Sequence, residues 1–128
     1  MQLFEEINNK LKDVPGIDIE KGDVCFSVIP KTPEGFTVSL HIDEEEFTVS
    51  YGDGWHGHFS SEKEAVNCFY FGLSNKCRVK VLQRGNLTYK WIVEYIDEGI
   101  WNFESGTGLL FFPFWRKKEI TILQNNVL

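Results

Sequence analysis

Apolar positions along this chain switch from helical spacing to strict alternation, back to helical spacing, and again to alternation. Leu3, Phe4, Ile7, Leu11 and Val14 recur at helical spacing, with Glu5, Glu6, Asn8, Asn9 and Lys12 between them. That pattern predicts an amphipathic helix of about three turns. Asp13-Val14-Pro15-Gly16 ends it, because proline cannot continue the ladder and steers the residue before it away from helix. From Asp23 the period is two. Val24, Phe26 and Val28 alternate with Cys25 and Ser27, and Pro30 to Gly35 reads as a loop. Phe36, Val38, Leu40 and Ile42 then alternate with polar residues, as do Phe47, Val49 and Tyr51. A loop of Asp43 to Glu46 sets Ile42 opposite Phe47, Leu40 opposite Val49 and Val38 opposite Tyr51. All six then share one face, so the register is defined.

Helical spacing returns after Ser61-Glu62-Lys63-Glu64, a capping box in which the serine hydroxyl accepts from the Glu64 amide. Ala65, Phe69, Gly72 and Leu73 form the buried stripe, and Ser74-Asn75 ends the helix with Asn75 as a left-handed cap. Beyond it, a three-residue hairpin loop of Arg84-Gly85-Asn86, with Asn86 left-handed, pairs Val81 with Tyr89, Val79 with Trp91 and Cys77 with Val93. A two-residue loop pairs Val81 with Lys90 and Lys80 with Trp91, which scrambles both faces. The three-residue loop sets Lys80 opposite Lys90, a modest like-charge penalty. A loop of Asp97-Glu98-Gly99 sets Tyr95 opposite Trp101 and Val93 opposite Phe103. Gly106-Thr107-Gly108 reads as a further turn that brings Phe111 opposite Phe103. On the strand Leu109 to Trp115, Leu110, Phe112 and Phe114 point the other way, so both faces are apolar and a helix or a partner must cover one. Glu119 to Gln124 reads as a last strand and Asn125 to Leu128 as a tail. The pattern predicts one α+β domain over residues 1–128. A mostly antiparallel, curved or split sheet of about seven strands, three before the second helix and four after, packs on both helices.

Composition narrows the function classes. A chain of 128 residues with nineteen aromatics, eleven of them Phe, has material for a core without staples. The longest apolar run, Leu109 to Trp115, is far short of the roughly 20 residues that span a bilayer. The segment Met1 to Glu6 is acidic and has no basic stretch, so a cytoplasmic protein without a secretory signal is expected. Cys25, Cys68 and Cys77 have no C-x-x-C spacing and read as reduced, mostly buried residues. A net charge of −6 and a pI near 5.0 argue against a nucleic-acid partner, and no cofactor motif is present.

The segment Tyr51 to Glu62 concentrates candidate chemistry. If Trp55 to Phe59 is extended, His56 and His58 share one face, and Asp53 is close enough in sequence to act as a third metal ligand. The competing reading is structural: Trp55 and Phe59 pack inward while the histidines face water. A Cys–His hydrolase is not expected, because Cys68 and Cys77 both fall on inward faces. Two functional readings follow. The first is a non-catalytic protein-binding or regulatory domain, inhibitor- or immunity-like, acting on a protein partner or on a second copy. Its contact residues are the acidic tip Asp43, Glu44 and Glu45 and the apolar Leu110, Phe112 and Phe114. The second is a small-molecule-binding or enzymatic domain with a pocket near Tyr51, Asp53, Trp55, His56, His58, Tyr89 and Trp91.

Overall fold

The computed structural model describes residues 2–44, 46–108 and 115–128. The described residues form two helices and two antiparallel sheets. Helix α1 (Gln2–Leu11) precedes strands β1 (Ile17–Lys21), β2 (Cys25–Pro30), β3 (Val38–Ile42), β4 (Phe47–Tyr51) and β5 (Trp55–Phe59). These pair in chain order as a five-stranded meander. Helix α2 (Glu62–Leu73) leads to β6 (Cys77–Arg84), β7 (Leu87–Asp97), β8 (Ile100–Gly108) and β9 (Lys118–Leu123), in the order β8-β7-β6-β9. None of the described helices is long and apolar enough to cross a membrane.

The inner face of the first sheet carries the core because alternation puts Phe26, Val28, Val38, Leu40 and Val49 on one side, all fully buried. Both helices pack on it: α1 inserts Phe4, Ile7 and Leu11, and α2 inserts Ala65, Phe69 and Leu73. Phe26 joins the two, with its ring 5.6 Å from Phe4 and 6.1 Å from Phe69. Cys77, Val79 and Val93 bring the second sheet into the same cluster. The Ser61 hydroxyl accepts from the Glu64 amide at 3.3 Å, as the capping box requires. The β3–β4 register also matches the sequence pattern: Ile42 lies opposite Phe47, Leu40 opposite Val49 and Val38 opposite Tyr51.

Several expectations are corrected. Nine strands are described rather than seven, with five before α2. Strand β1 was missed although Ile17 and Ile19 alternate with Asp18 and Glu20, because five residues after a Pro-Gly stop give little periodicity. Helix α2 ends with Ser74 in an extended conformation, and Asn75 is not left-handed. Both later hairpins use two-residue turns. Arg84 pairs with Leu87, and Gly85 alone takes positive φ there, not Asn86. The scrambling expected of so short a turn is averted by a bulge between Leu82 and Gln83 that leaves Tyr89 unpaired. Parity is restored, so the faces match the expected ones while each pair moves by two residues: Cys77 faces Tyr95, Val79 faces Val93 and Val81 faces Trp91. Lys80 meets Ile92 instead of Lys90.

The next hairpin repeats the device. Glu98 and Gly99 both have positive φ, the signature of a primed turn, and Ile96 faces Trp101 where Tyr95 was expected. A bulge between Val93 and Glu94 then puts Val93 opposite Ser105, not Phe103. Gly106 to Gly108, expected as a turn, continue β8. The expected strand from Leu109, with Leu110, Phe112 and Phe114, lies outside the described residues apart from Trp115, which sits in a turn and is exposed. Glu45 of the acidic loop lies outside them too.

The segment expected as a tail is a clasp. Asn125 is 2% exposed: it accepts from the Phe36 amide at 3.0 Å and donates to the carbonyls of Phe36 and Gly72, each at 2.9 Å. The Gln124 amide donates to the Glu34 carbonyl and the Val127 amide to the Leu73 carbonyl. The chain leaving β9 in the second sheet is thus tied to the loop before β3 and to the end of α2.

Candidate functional site

Tyr51 and Trp55 stand at the junction of the two sheets. Antiparallel pairing across the β4–β5 turn sets them opposite each other, and their rings stack with centroids 4.5 Å apart. Phe36 flanks Tyr51 at 5.4 Å. The Tyr51 hydroxyl donates a short hydrogen bond to the Cys68 carbonyl, and the indole N–H of Trp55 donates to Ser105 Oγ at 2.8 Å. Both polar ends are therefore anchored on other elements, Tyr51 on α2 and Trp55 on β8. Burial drives the Tyr51 hydroxyl far above its usual pKa, and the neighbouring Cys68 adds to the shift. Burial also raises the Cys68 thiol and pushes Cys77 up to about 12. Both thiols stay protonated at neutral pH, which is the wrong state for a nucleophile.

A cleft of about 350 Å³ opens beside this junction, between the sheets. Its buried floor is formed by Phe36, Tyr51 and Val79; Val81, Trp91 and Leu123 are less buried apolar walls. The polar groups at it come from Thr37, Thr88 and Asp53. Asp53 lies in the β4–β5 turn, exposed, next to Gly52 with its φ of +61. The Trp91 ring is pressed onto the following residue: a Cβ on Gly54 would fall 2.0 Å from two of its ring carbons. Only a glycine lets the ring lie flat on that backbone. A second cavity of about 310 Å³ lies across Tyr51 and Trp55, with Cys68, Phe71, Glu104 and Ser105 in its lining.

The seven pocket candidates are thereby divided. Tyr51, Asp53 and Trp91 share the first cleft, while Trp55 lines the second cavity. Tyr89, the extra residue of the β7 bulge, is buried but lines neither; its neighbour Thr88 reaches the cleft instead. His56 and His58 are on the outer face of the first sheet. His56 Nδ1 lies 3.0 Å from Ser50 Oγ, and His58 Nδ1 lies 2.5 Å from Glu46 Oε1 and 3.2 Å from Thr48 Oγ1. These are cross-strand contacts to β4 and the residue before it. No three potential metal-ligating side chains come together among the described residues, so the candidates Asp53, His56 and His58 are not gathered into a ligand set. Thr37, Thr88 and Leu123 were missed because they reach the cleft from three separate strands or their ends, and no sequence spacing joins them.

The second sheet presents a different outer surface. Alternation that sends Cys77, Val79 and Val93 inward sends Lys80, Ile92, Ile120 and Ile122 outward, together with Leu82, which is itself buried, and with Phe103 beside Glu94. Ile120 and Ile122 are half exposed and Phe103 is 65% exposed. Arg78, Lys80, Arg84, Lys90 and Lys118 share this face with Glu94, which accepts from Arg78 at 2.7 Å. The Arg78 guanidinium also lies 4.2 Å from the Trp101 ring. Charge divides the chain the same way. Residues 1–64 carry fourteen Asp and Glu against five Lys, a net −9, and residues 65–128 carry five against eight Lys and Arg, a net +3. Comparison with protein-family models, with curated proteins and with solved structures finds no match to this chain.

Proposed function

We propose that this chain is a non-catalytic protein-binding domain, of the inhibitor or immunity type, whose principal contact surface is the outer face of the four-stranded sheet. The observation that carries the reading is where apolar side chains meet water. Of the eight large hydrophobic residues exposed among those described, four (Leu87, Phe103, Ile120 and Ile122) stand on the outer face of the second sheet, with Trp115 in the turn before β9. Exposed apolar residues grouped on one sheet face mark an interaction surface more often than an accident of packing. The partner's contact surface is acidic with apolar anchors, because five cations and one carboxylate surround these residues. The acidic tip at Asp43 and Glu44, with exposed Val24 nearby, is a second and smaller contact suited to a basic surface.

The test is affinity capture from cell extract with the wild-type chain and with an Ile120→Glu/Ile122→Glu double variant, both verified as folded by circular dichroism. A partner retained by the wild type and lost by the variant is expected. A partner held equally by both, or none held by the wild type, refutes this surface as the binding face.

A further inference from the structure

We infer that the cleft between the sheets is a binding site for a small organic ammonium, with the cation at Asp53 and an apolar body against Trp91, Val81 and Leu123. The site lies on the inward face of the second sheet, opposite the proposed protein-binding face, and its existence does not rest on that reading.

Charge comes first. Among the described residues Asp53 is the one ionisable side chain at the mouth, apart from the buried Tyr51 hydroxyl, and no Lys, Arg or His of theirs lines the cleft. Asp53 has no hydrogen-bond or ion-pair partner among the described residues, so its carboxylate is open to a ligand. An anion meets the repulsion of that carboxylate, and a neutral apolar molecule leaves the carboxylate and two threonine hydroxyls unused. A cation whose N–H groups donate to the carboxylate and to Thr88 or Thr37 engages the carboxylate and a hydroxyl together.

Aromatic geometry supplies the second argument. Trp91 is held flat on the Gly54 backbone by the absence of a Cβ, one residue from Asp53. An indole face beside a carboxylate attracts a cation twice, through the ring quadrupole and through the ion pair. Indole is the strongest of the aromatic partners for a cation. Pre-positioning matters here because the ring needs no ordering when the ligand arrives.

Size sets the ligand class. A volume of about 350 Å³ lies at the small end of the roughly 300–1,000 Å³ typical of ligand sites. It suits an amine with one ring or a short branched chain.

The experiment is a titration of the full chain with phenethylammonium, followed by the Trp91 indole N–H resonance in two-dimensional NMR and assigned with a Trp91→Phe variant. Hydrocinnamate, which replaces the ammonium by a carboxylate on the same ring and chain, is the charge control. Saturable shifts at Trp91 with phenethylammonium and none with hydrocinnamate are expected. Asp53→Asn, at an exposed turn position, is expected to weaken binding about fivefold while leaving the spectrum otherwise folded, in keeping with a solvent-exposed ion pair. Added salt is expected to weaken the wild type and to leave the variant nearly unchanged. Equal binding of hydrocinnamate, an unchanged affinity in Asp53→Asn, or no shift at Trp91 overturns the assignment.

Discussion

Replacing Asn125 with alanine removes three hydrogen bonds at once, and all three link the C-terminal segment to distant parts of the chain. The lost partners are the Phe36 amide, the Phe36 carbonyl and the Gly72 carbonyl, at 3.0, 2.9 and 2.9 Å. With the side chain 2% exposed, the interior has no ready solvent to replace it. An ordinary protein hydrogen bond has a net worth of about 1 kcal/mol, and an orphaned buried donor such as the Phe36 N–H costs about 1–3 kcal/mol. The expected loss is therefore roughly 3 kcal/mol. In urea unfolding, with a slope of about 1–3 kcal/mol per molar, that moves the midpoint down by roughly 1–3 M, with the slope unchanged. Asn125→Asp keeps the acceptor for Phe36 but sets a carboxylate oxygen against two carbonyls, so it is expected to lose at least as much at neutral pH. Asn126→Ala, at an exposed neighbour, is the control and is expected within about 0.5 kcal/mol of wild type. An Asn125→Ala chain that also unfolds within about 0.5 kcal/mol of wild type would refute the clasp and with it the tie between the two sheets.

Gly72→Ala sets two effects against each other. Helix propensity favours alanine by about 1 kcal/mol, but its Cβ would fall 2.4 Å from a ring carbon of Tyr51, which is wedged between Phe36 and Trp55. Overpacking is expected to win, with a net loss of about 1–2 kcal/mol in thermal or urea unfolding; a stabilised variant means that Tyr51 has room to move. The Cys77 thiol ionises near 9.0 when unfolded and at about 12 when folded. The folded chain then keeps a proton that the unfolded chain loses, so stability is full below 9.0 and falls as pH rises through that window, by about 1.4 kcal/mol per pH unit for this group. Unfolding curves collected across the window should show a shallower decline in Cys77→Ala; equal declines count against a buried thiol. Ser61→Ala is expected to cost about 1 kcal/mol through the lost cap on α2, read by urea unfolding, and no change would show that the cap bond contributes nothing.

Local pattern carried much of the architecture. The helix stripe of Phe4, Ile7 and Leu11, the capping box at Ser61 and the β3–β4 register were all legible. In each case the determining interactions lie within a few residues, or follow from a single alternation around one turn. The β6–β7 hairpin was legible in its faces but not in its pairs. Alternation specifies parity, and a two-residue turn plus a bulge has the same parity as a longer turn without one. On β6 and β7 the side chains facing inward were therefore right and their partners across the strands were not, whereas on β8 Trp101 and Phe103, expected on the inward side, face outward.

The candidate site divides along the same line. That His56 and His58 face one way and Trp55 the other follows from the two-residue period of a strand, so the sequence by itself determined that separation once the segment was extended. Which face was buried, and against what, was a tertiary matter: α1 and α2 cover the inner side, and the histidines are left to β4 and solvent. The cleft is more fully a product of folding. Asp53 comes from a turn, Trp91 from the second sheet, Leu123 from near the C-terminus and Thr37 from the approach to β3. A sequence encodes each of these residue types. Their proximity depends on where two sheets diverge, and that is set by the stacking of Tyr51 on Trp55, the bond from Trp55 to Ser105 and the clasp at Asn125. Each of these contacts spans positions that no local period relates, so only the packed chain brings them together.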